Sequence, residues 1–123
     1  MNELDTFLKE YERQTNTHNF DNVLPLISND AIYWFSDGDF TGINEIKKAF
    51  EETWFKIKDE VYRIDKVEWL VSTDDAAVGV YNFEWKGIVN GIEKNGSGRG
   101  TNVLSRTNGK WQIVHEHLSK QVR

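Results

Sequence analysis

The chain has no cysteine and a single proline, Pro25, in 123 residues. Without thiols it can form neither disulfides nor thiolate metal sites, and a cysteine nucleophile is excluded. No apolar run approaches the ~18–20 residues of a membrane-spanning helix, so no membrane partner is expected. Basic residues never cluster, and the net charge is −5, which argues against a nucleic-acid partner. The first residues, Met1-Asn2-Glu3-Leu4-Asp5, are acidic and lack the apolar centre of a signal peptide, so a cytoplasmic location is expected. A glycine-rich phosphate loop and a nucleophile elbow are also missing. Asp37-Gly38-Asp39 begins like a calcium loop but lacks its later ligands, and reads as a turn. Neither a metal nor a cofactor is expected.

Aromatic residues are what the chain has in quantity: five Trp, seven Phe and four Tyr. Each buries about 150–250 Å², enough for one core and one domain over residues 1–123. Leu4, Phe7, Leu8 and Tyr11 recur at helical spacing behind Asn2, a candidate N-cap. A short helix is expected over 20–27, limited by Pro25. Residues 31–35 read as a buried strand stopped by Ser36-Asp37-Gly38-Asp39. After Thr41-Gly42 comes the longest helix, with Ile43, Ile46, Phe50, Trp54 and Ile57 on one stripe. Two long alternating strands follow, over 61–72 and 76–89. The glycine-rich residues 90–98 read as a flexible connection, and a last hairpin turns on Asn108-Gly109. Helices first and strands last give an α+β class with a mostly antiparallel sheet. Both faces of the long strands carry large apolar residues, so a second copy of the chain is the expected cover for the outer face.

The last hairpin has two registers. A two-residue turn pairs Thr101 with Glu116. A three-residue turn with a bulge at Gly109 places Asn102 on one face with Val114, Glu116 and Leu118. Lys110 after Asn-Gly favours the bulged turn.

Several pieces together resemble the nuclear transport factor 2-like superfamily, in its SnoaL-like branch. They are Trp34-Phe35-Ser36-Asp37-Gly38 with Gly42, Ile46 and Phe50, then Asp75-Ala76-Ala77-Val78, then Gly98-Arg99-Gly100-Thr101 and the segment from Gly109 to Ser119. That final segment is similar to the end of the association domain of calcium/calmodulin-dependent protein kinase II. The resemblance implies a conical α+β, cystatin-like fold, with helices closing a curved sheet around a pocket, and homodimers formed through the outer sheet face. It does not settle function, because the superfamily holds isomerases, dehydratases, cyclases and assembly modules. The kinase domain places arginines in its pocket from these strands; the matching positions here hold Asn102 and Leu118.

Glu116 is the first candidate for catalysis, with Asn102 beside it under the bulged register and Glu84 or Asn82 joining from the next strand. A carboxylate in an aromatic cavity has its pKa raised by desolvation and can act as a general base or acid. Tyr33, Trp34, Trp54, Asn82, Asn102 and Leu118 are the expected pocket lining, with Tyr33, Tyr62 and Tyr81 as candidate hydroxyl donors. His115 and His117 share a strand face, but two ligands from one strand lack a third, since only His18 remains. With Arg99 they are read as a polar network or dimer contact. Trp69, Trp85 and Trp111 are expected to fill core or interface, Trp111 largely buried. The functional expectation is a homodimeric pocket protein for a small, largely apolar organic ligand, with acid–base activity as one outcome and a non-catalytic assembly module as the alternative.

Overall fold

The computed structural model describes residues 2–121. Helix α1 spans Glu3–Thr15, and Asn2 caps it: its Oδ1 accepts the Asp5 N–H at 2.8 Å, satisfying one of the free donors of the first turn. Helix α2 is one turn, Phe20–Val23, and Leu24–Leu26 tighten into a 3-10 turn around Pro25. The expected helix over 20–27 therefore stops early, because proline removes a backbone donor where the turn would continue. Ile27 already begins strand β1, Ile27–Phe35, four residues before the expected start.

A short strand β2, Gly38–Thr41, folds straight back on β1. The residues read as a stop are thus the bend of a hairpin. Helix α3, Ile43–Lys56, buries Ile46, Ala49 and Phe50, as its stripe requires. Strands β3 (Lys58–Ser72), β4 (Ala76–Val89), β5 (Ile92–Thr107) and β6 (Lys110–Lys120) complete a six-stranded sheet. Its order is β2-β1-β6-β5-β4-β3, antiparallel except between β1 and β6. The class is α+β, as expected, with α1 and α3 packed on one face of the sheet.

The glycine-rich residues 90–98 are not a flexible connection. Only Asn90 and Gly91, both at positive φ, form a turn, and β5 starts at Ile92. Gly96, Gly98 and Gly100 pair across from Trp85, Phe83 and Tyr81. A Cβ at Gly100 would lie 2.5 Å from the Tyr81 ring, so these glycines make room for aromatic rings lying across the strand. Trp69, Trp85 and Trp111 are half-buried against the core. For Trp111 this corrects the expectation of deep burial: it sits at a sheet end, where its Nε1 reaches Glu3 Oε1 at 3.1 Å.

The open edge of β3 is covered by side chains from α1 and the turn after it. Glu12 accepts from Ile64 N, Asn16 both donates to Tyr62 O and accepts from Tyr62 N, and His18 Nε2 meets Glu60 O at 2.8 Å. Backbone groups that would otherwise offer a pairing edge are satisfied along one side of the strand.

Candidate functional site

The site begins with the hairpin register. Asn108 and Gly109 both have positive φ, 54° and 75°, and Thr107 pairs with Lys110. This is the two-residue turn, not the bulged one that Lys110 was expected to favour. The one-residue shift occurs later: Leu104 pairs with Ile113 but Val103 pairs with His115, so Val114 is an extra residue in the strand. Asn102 therefore does pair with Glu116, through a bulge at a different place. Val114, expected on the inner face, sits half-buried at the bulge, and Ile113 takes the inner position.

Across the inner face runs a lane of Tyr33, Glu116, Asn102 and Gly79, one from each of β1, β6, β5 and β4. Glu116 is 2% exposed. Tyr11 comes from α1, and its hydroxyl meets that of Tyr33 at 2.9 Å. Tyr81, lying over Gly100, donates to Asn102 Oδ1 at 2.7 Å. Glu116 Oε1, Asn102 Nδ2, the Tyr62 hydroxyl and Thr15 Oγ1 are buried without a hydrogen-bond partner. Burial pushes the Glu116 carboxyl from its ordinary 4.5 up to about 7, although nearby Tyr11, Asn102 and Tyr81 favour its charged form. Desolvation wins because no cation stands close enough to oppose it. The tyrosine hydroxyls 11, 33, 62 and 81 are raised as well, by burial first and then by the Glu116 charge. They stay protonated at any physiological pH, available as donors.

In front of Glu116 lies a cavity of about 340 Å³, at the small end of the ~300–1,000 Å³ typical of ligand pockets. Phe35, Phe50, Trp54, Phe83, Trp85 and Leu118 supply its apolar wall, and Tyr11, Thr15, Glu60, Tyr62 and Glu116 its polar points. Exposed Ser36, Asp37 and Lys120 stand at the rim.

With this geometry in hand, the chain can be set beside known proteins. Residues 4–123 match the SnoaL-like domain family. The chain belongs to that family. No curated protein matches it in sequence. A nuclear transport factor 2-like superfamily protein from Salmonella enterica superposes with a TM-score of 0.89 at 20% identity, covering 98% of this chain and 90% of that one. A candidate calcium/calmodulin dependent protein kinase II association domain from Xanthomonas campestris gives 0.85 at 22% identity, covering 97% and 86%. A candidate scytalone dehydratase from Novosphingobium aromaticivorans gives 0.85 at 11%, covering 97% and 82%. At these identities the structures share the nuclear transport factor 2-like, or cystatin-like, fold.

Within this SnoaL-like domain the expected site residues divide by face. Glu116, Trp54 and Leu118 line the cavity. Tyr33 and Asn102 are 0% exposed and lie beside Glu116, beneath the cavity wall and not on it. Trp34, Asn82 and Glu84 were expected inside and are exposed. The reason is parity. Asn82 and Glu84 alternate with inward Tyr81, Phe83 and Trp85, and Trp34 follows inward Tyr33. Glu84 is thus no partner of Glu116. On the outer face Trp34 packs edge-on against His115 and His117, at ring separations of 4.9 and 5.6 Å. His115 Nδ1 bonds Ile32 O at 2.7 Å. Arg99 is exposed and pairs with Ser119 across the strands. Among the described residues no group of three or more metal-ligating side chains forms.

Glu60 is the cavity residue that sequence reasoning missed. It is 8% exposed, and burial raises its pKa to about 7. The signal is in the alternation: Glu60 extends the inward series of Tyr62 and Ile64 by one step, just outside the strand expected over 61–72.

Proposed function

We propose that this SnoaL-like domain is a homodimeric pocket protein that binds a small, largely apolar organic molecule and performs cofactor-independent acid–base chemistry on it. The Glu116 carboxylate carries this reading: almost fully buried, with Oε1 unpartnered, on the wall of an aromatic cavity. A buried carboxylate without a cation costs stability, and its retention makes sense if a ligand uses it. Burial raises its pKa to about 7, which makes it a better proton acceptor near neutral pH than an ordinary carboxylate.

The ligand presents a C–H beside a carbonyl. Glu116 takes the proton from that carbon, and the electron pair moves onto the carbonyl oxygen, leaving an enol or enolate. The free Tyr62 hydroxyl donates to that oxygen as its charge develops. Returning the proton to another carbon completes an isomerisation. Expelling a β-hydroxyl, protonated to water, completes a dehydration. The dehydratase assignment of the Novosphingobium relative adds analogy at the level of fold alone.

The test is exchange of the α-protons of 1-tetralone in D2O, followed by NMR. The protein should accelerate exchange, and Glu116→Gln should lower that acceleration by about 100-fold or more. Acceleration that is absent, or unchanged in Glu116→Gln, removes the catalytic reading.

The outer face supports the dimer and also the second reading, an assembly module. Ile32, Val103 and Val78 flank His115 in one cross-strand lane, and Trp34, Thr101 and Val80 flank His117 in the next. Two such lanes of half-exposed apolar side chains are more than a solvated face needs. A dimer mass in light scattering together with no uptake of any ketone would favour the module.

A further inference from the structure

The acid–base reading gives no task to Asn102, which is 0% exposed and pairs with Glu116 on one side and Gly79 on the other. A buried side-chain amide that is not fully bonded costs stability, so its place beside the base calls for a reason. Its two ends differ. Oδ1 accepts from the Tyr81 hydroxyl at 2.7 Å, whereas Nδ2 is buried with no partner.

That one bond decides which way the amide points. A tyrosine hydroxyl carries a single proton, and this one goes to Oδ1, so the end that can only donate is left to face elsewhere. On the Gly79 side the Trp69 ring fills the space, 2.7 Å from where a Cβ would stand, and it offers no acceptor. On the other side is Glu116, whose Oε1 is likewise buried without a partner. A donor and an acceptor are thus left over in paired residues of neighbouring strands. Tyr81 is itself fixed, because its ring lies across Gly100, where a Cβ would come within 2.5 Å of it. Tyr11, Asn102 and Tyr81 all favour the charged form of Glu116, but the Tyr81 proton is already committed to Asn102, so its influence passes through the amide. The other titratable groups around Glu116 are the hydroxyls of Tyr11 on α1, Tyr33 on β1 and Tyr62 on β3, with the Glu60 carboxyl in the same cavity. Helix α3 brings Phe50, Thr53 and Trp54, none of them titratable. Among the described residues no ion pair forms with Glu116.

We propose that Tyr81 is a positioning residue for the base: by fixing the Asn102 amide with Nδ2 towards Glu116, it holds the carboxylate in the orientation that meets the ligand. The proposal rests on the acid–base reading above and assigns the residues that aim its base. A neutral amide suits this task better than a cation does. A lysine or arginine beside Glu116 would hold the charged form so strongly that little basicity remained. An amide locked from behind orients the carboxylate, as proton transfer needs, and leaves it basic.

The test is a double-mutant cycle of Tyr81→Phe and Asn102→Leu, read by NMR titration of the Glu116 carboxyl and by the pH profile of 1-tetralone proton exchange. Tyr81→Phe keeps the ring over Gly100 and removes only the hydroxyl. It should raise the Glu116 pKa by about 0.5–1 unit and move the limb of the kcat profile with it. It should also lower kcat roughly 10-fold while KM stays within about twofold. Asn102→Leu should do the same or more. The double variant should match Asn102→Leu alone, because Tyr81 acts through the amide. An additive shift in the double variant, or a Glu116 pKa unmoved in Tyr81→Phe, overturns the proposal. So does a lowered melting temperature in Tyr81→Phe with an unchanged pH profile, which is the mark of a purely structural bond. If Asn102→Leu does not fold, Asn102→Ala takes its place in the cycle. A wild-type protein that exchanges no ketone proton removes the acid–base reading, and the Glu116 titrations of the same variants still decide whether Tyr81 acts on the carboxylate through Asn102.

Discussion

Two faces of the same strands make the most instructive contrast in the molecule. On the inner face, Tyr33, Glu116 and Asn102 stand side by side, almost wholly removed from water. One residue further along each chain segment, Trp34 and His117 point outward and are exposed. The residue types are comparable, an aromatic and a titratable group on each side, but the surroundings differ. Inside, burial sets the protonation of Glu116 and leaves hydroxyl and amide groups without partners. Outside, imidazoles pack edge-on to an indole with water at hand. The parity of a strand therefore sorts candidate chemistry from candidate contact surface, and composition alone does not.

The largest test of this contrast is a matched pair of truncations. Tyr33→Ala should cost about 3–5 kcal/mol, the range for deleting a buried aromatic, and should release the Tyr11 hydroxyl. Trp34→Ala, its neighbour, should cost about 1 kcal/mol or less in the monomer. Urea unfolding of both variants measures the difference, and similar losses would mean that the two faces are not distinct.

The next test is pH. Glu116 has a folded pKa near 7 against an ordinary 4.5, so below about 4.5 it is protonated in both states and stability is full. Between those values the folded state holds a proton that the unfolded state has released, and stability falls as pH rises. Above 7 the loss is complete, about 3 kcal/mol for this group. Urea midpoints at pH 5 and pH 8 should differ in that direction. Glu116→Gln should remove most of the slope, leaving the part due to Glu60 in the same window. A flat profile in wild type would show that the carboxylate ionises freely.

Smaller effects follow from the glycines. Gly100→Ala forces a methyl into the Tyr81 ring and should cost about 1–3 kcal/mol. Thr101→Ala, next to it on the outer face, should change stability by about 0.5 kcal/mol. Equal effects in thermal melts would argue that Tyr81 can move aside. The smallest expected change in folding belongs to the outer lane. Trp34→Ala should lower the mass seen by light scattering towards the monomer while the chain stays folded by circular dichroism. A wild-type monomer over a broad concentration range would remove the dimer.

Much of the inner face was legible beforehand. The stripe of α1, the α3 stripe and the alternation of β4 are visible as periodic apolar residues, and Glu116 stands out in the sequence by its place near Asn102. The route to that pairing was not legible. Asn-Gly followed by Lys fits either turn, and only pairing against β1 and β5 together shows that the extra residue is Val114. Trp34 and Tyr33 are both plausible pocket residues in sequence, since an apolar run carries no parity signal of its own. Glu60 lies one residue outside the strand that the alternation predicts over 61–72, and only the folded sheet shows that β3 starts earlier, at Lys58.

The sequence by itself determined helices α1 and α3 and the long strands β3 and β4, because side-chain spacing of 3.6 or 2 is a local property and needs no partner. It also determined the tight turn at Asn108-Gly109 and the exclusion of thiol chemistry. Only the tertiary structure decided which carboxylates are buried, since burial depends on what α1 and α3 lay over the sheet. It alone brought Glu60 and Glu116, far apart in the chain, to one cavity. Desolvation is a property of the whole surround, and that surround exists only once the sheet has bent around the helices.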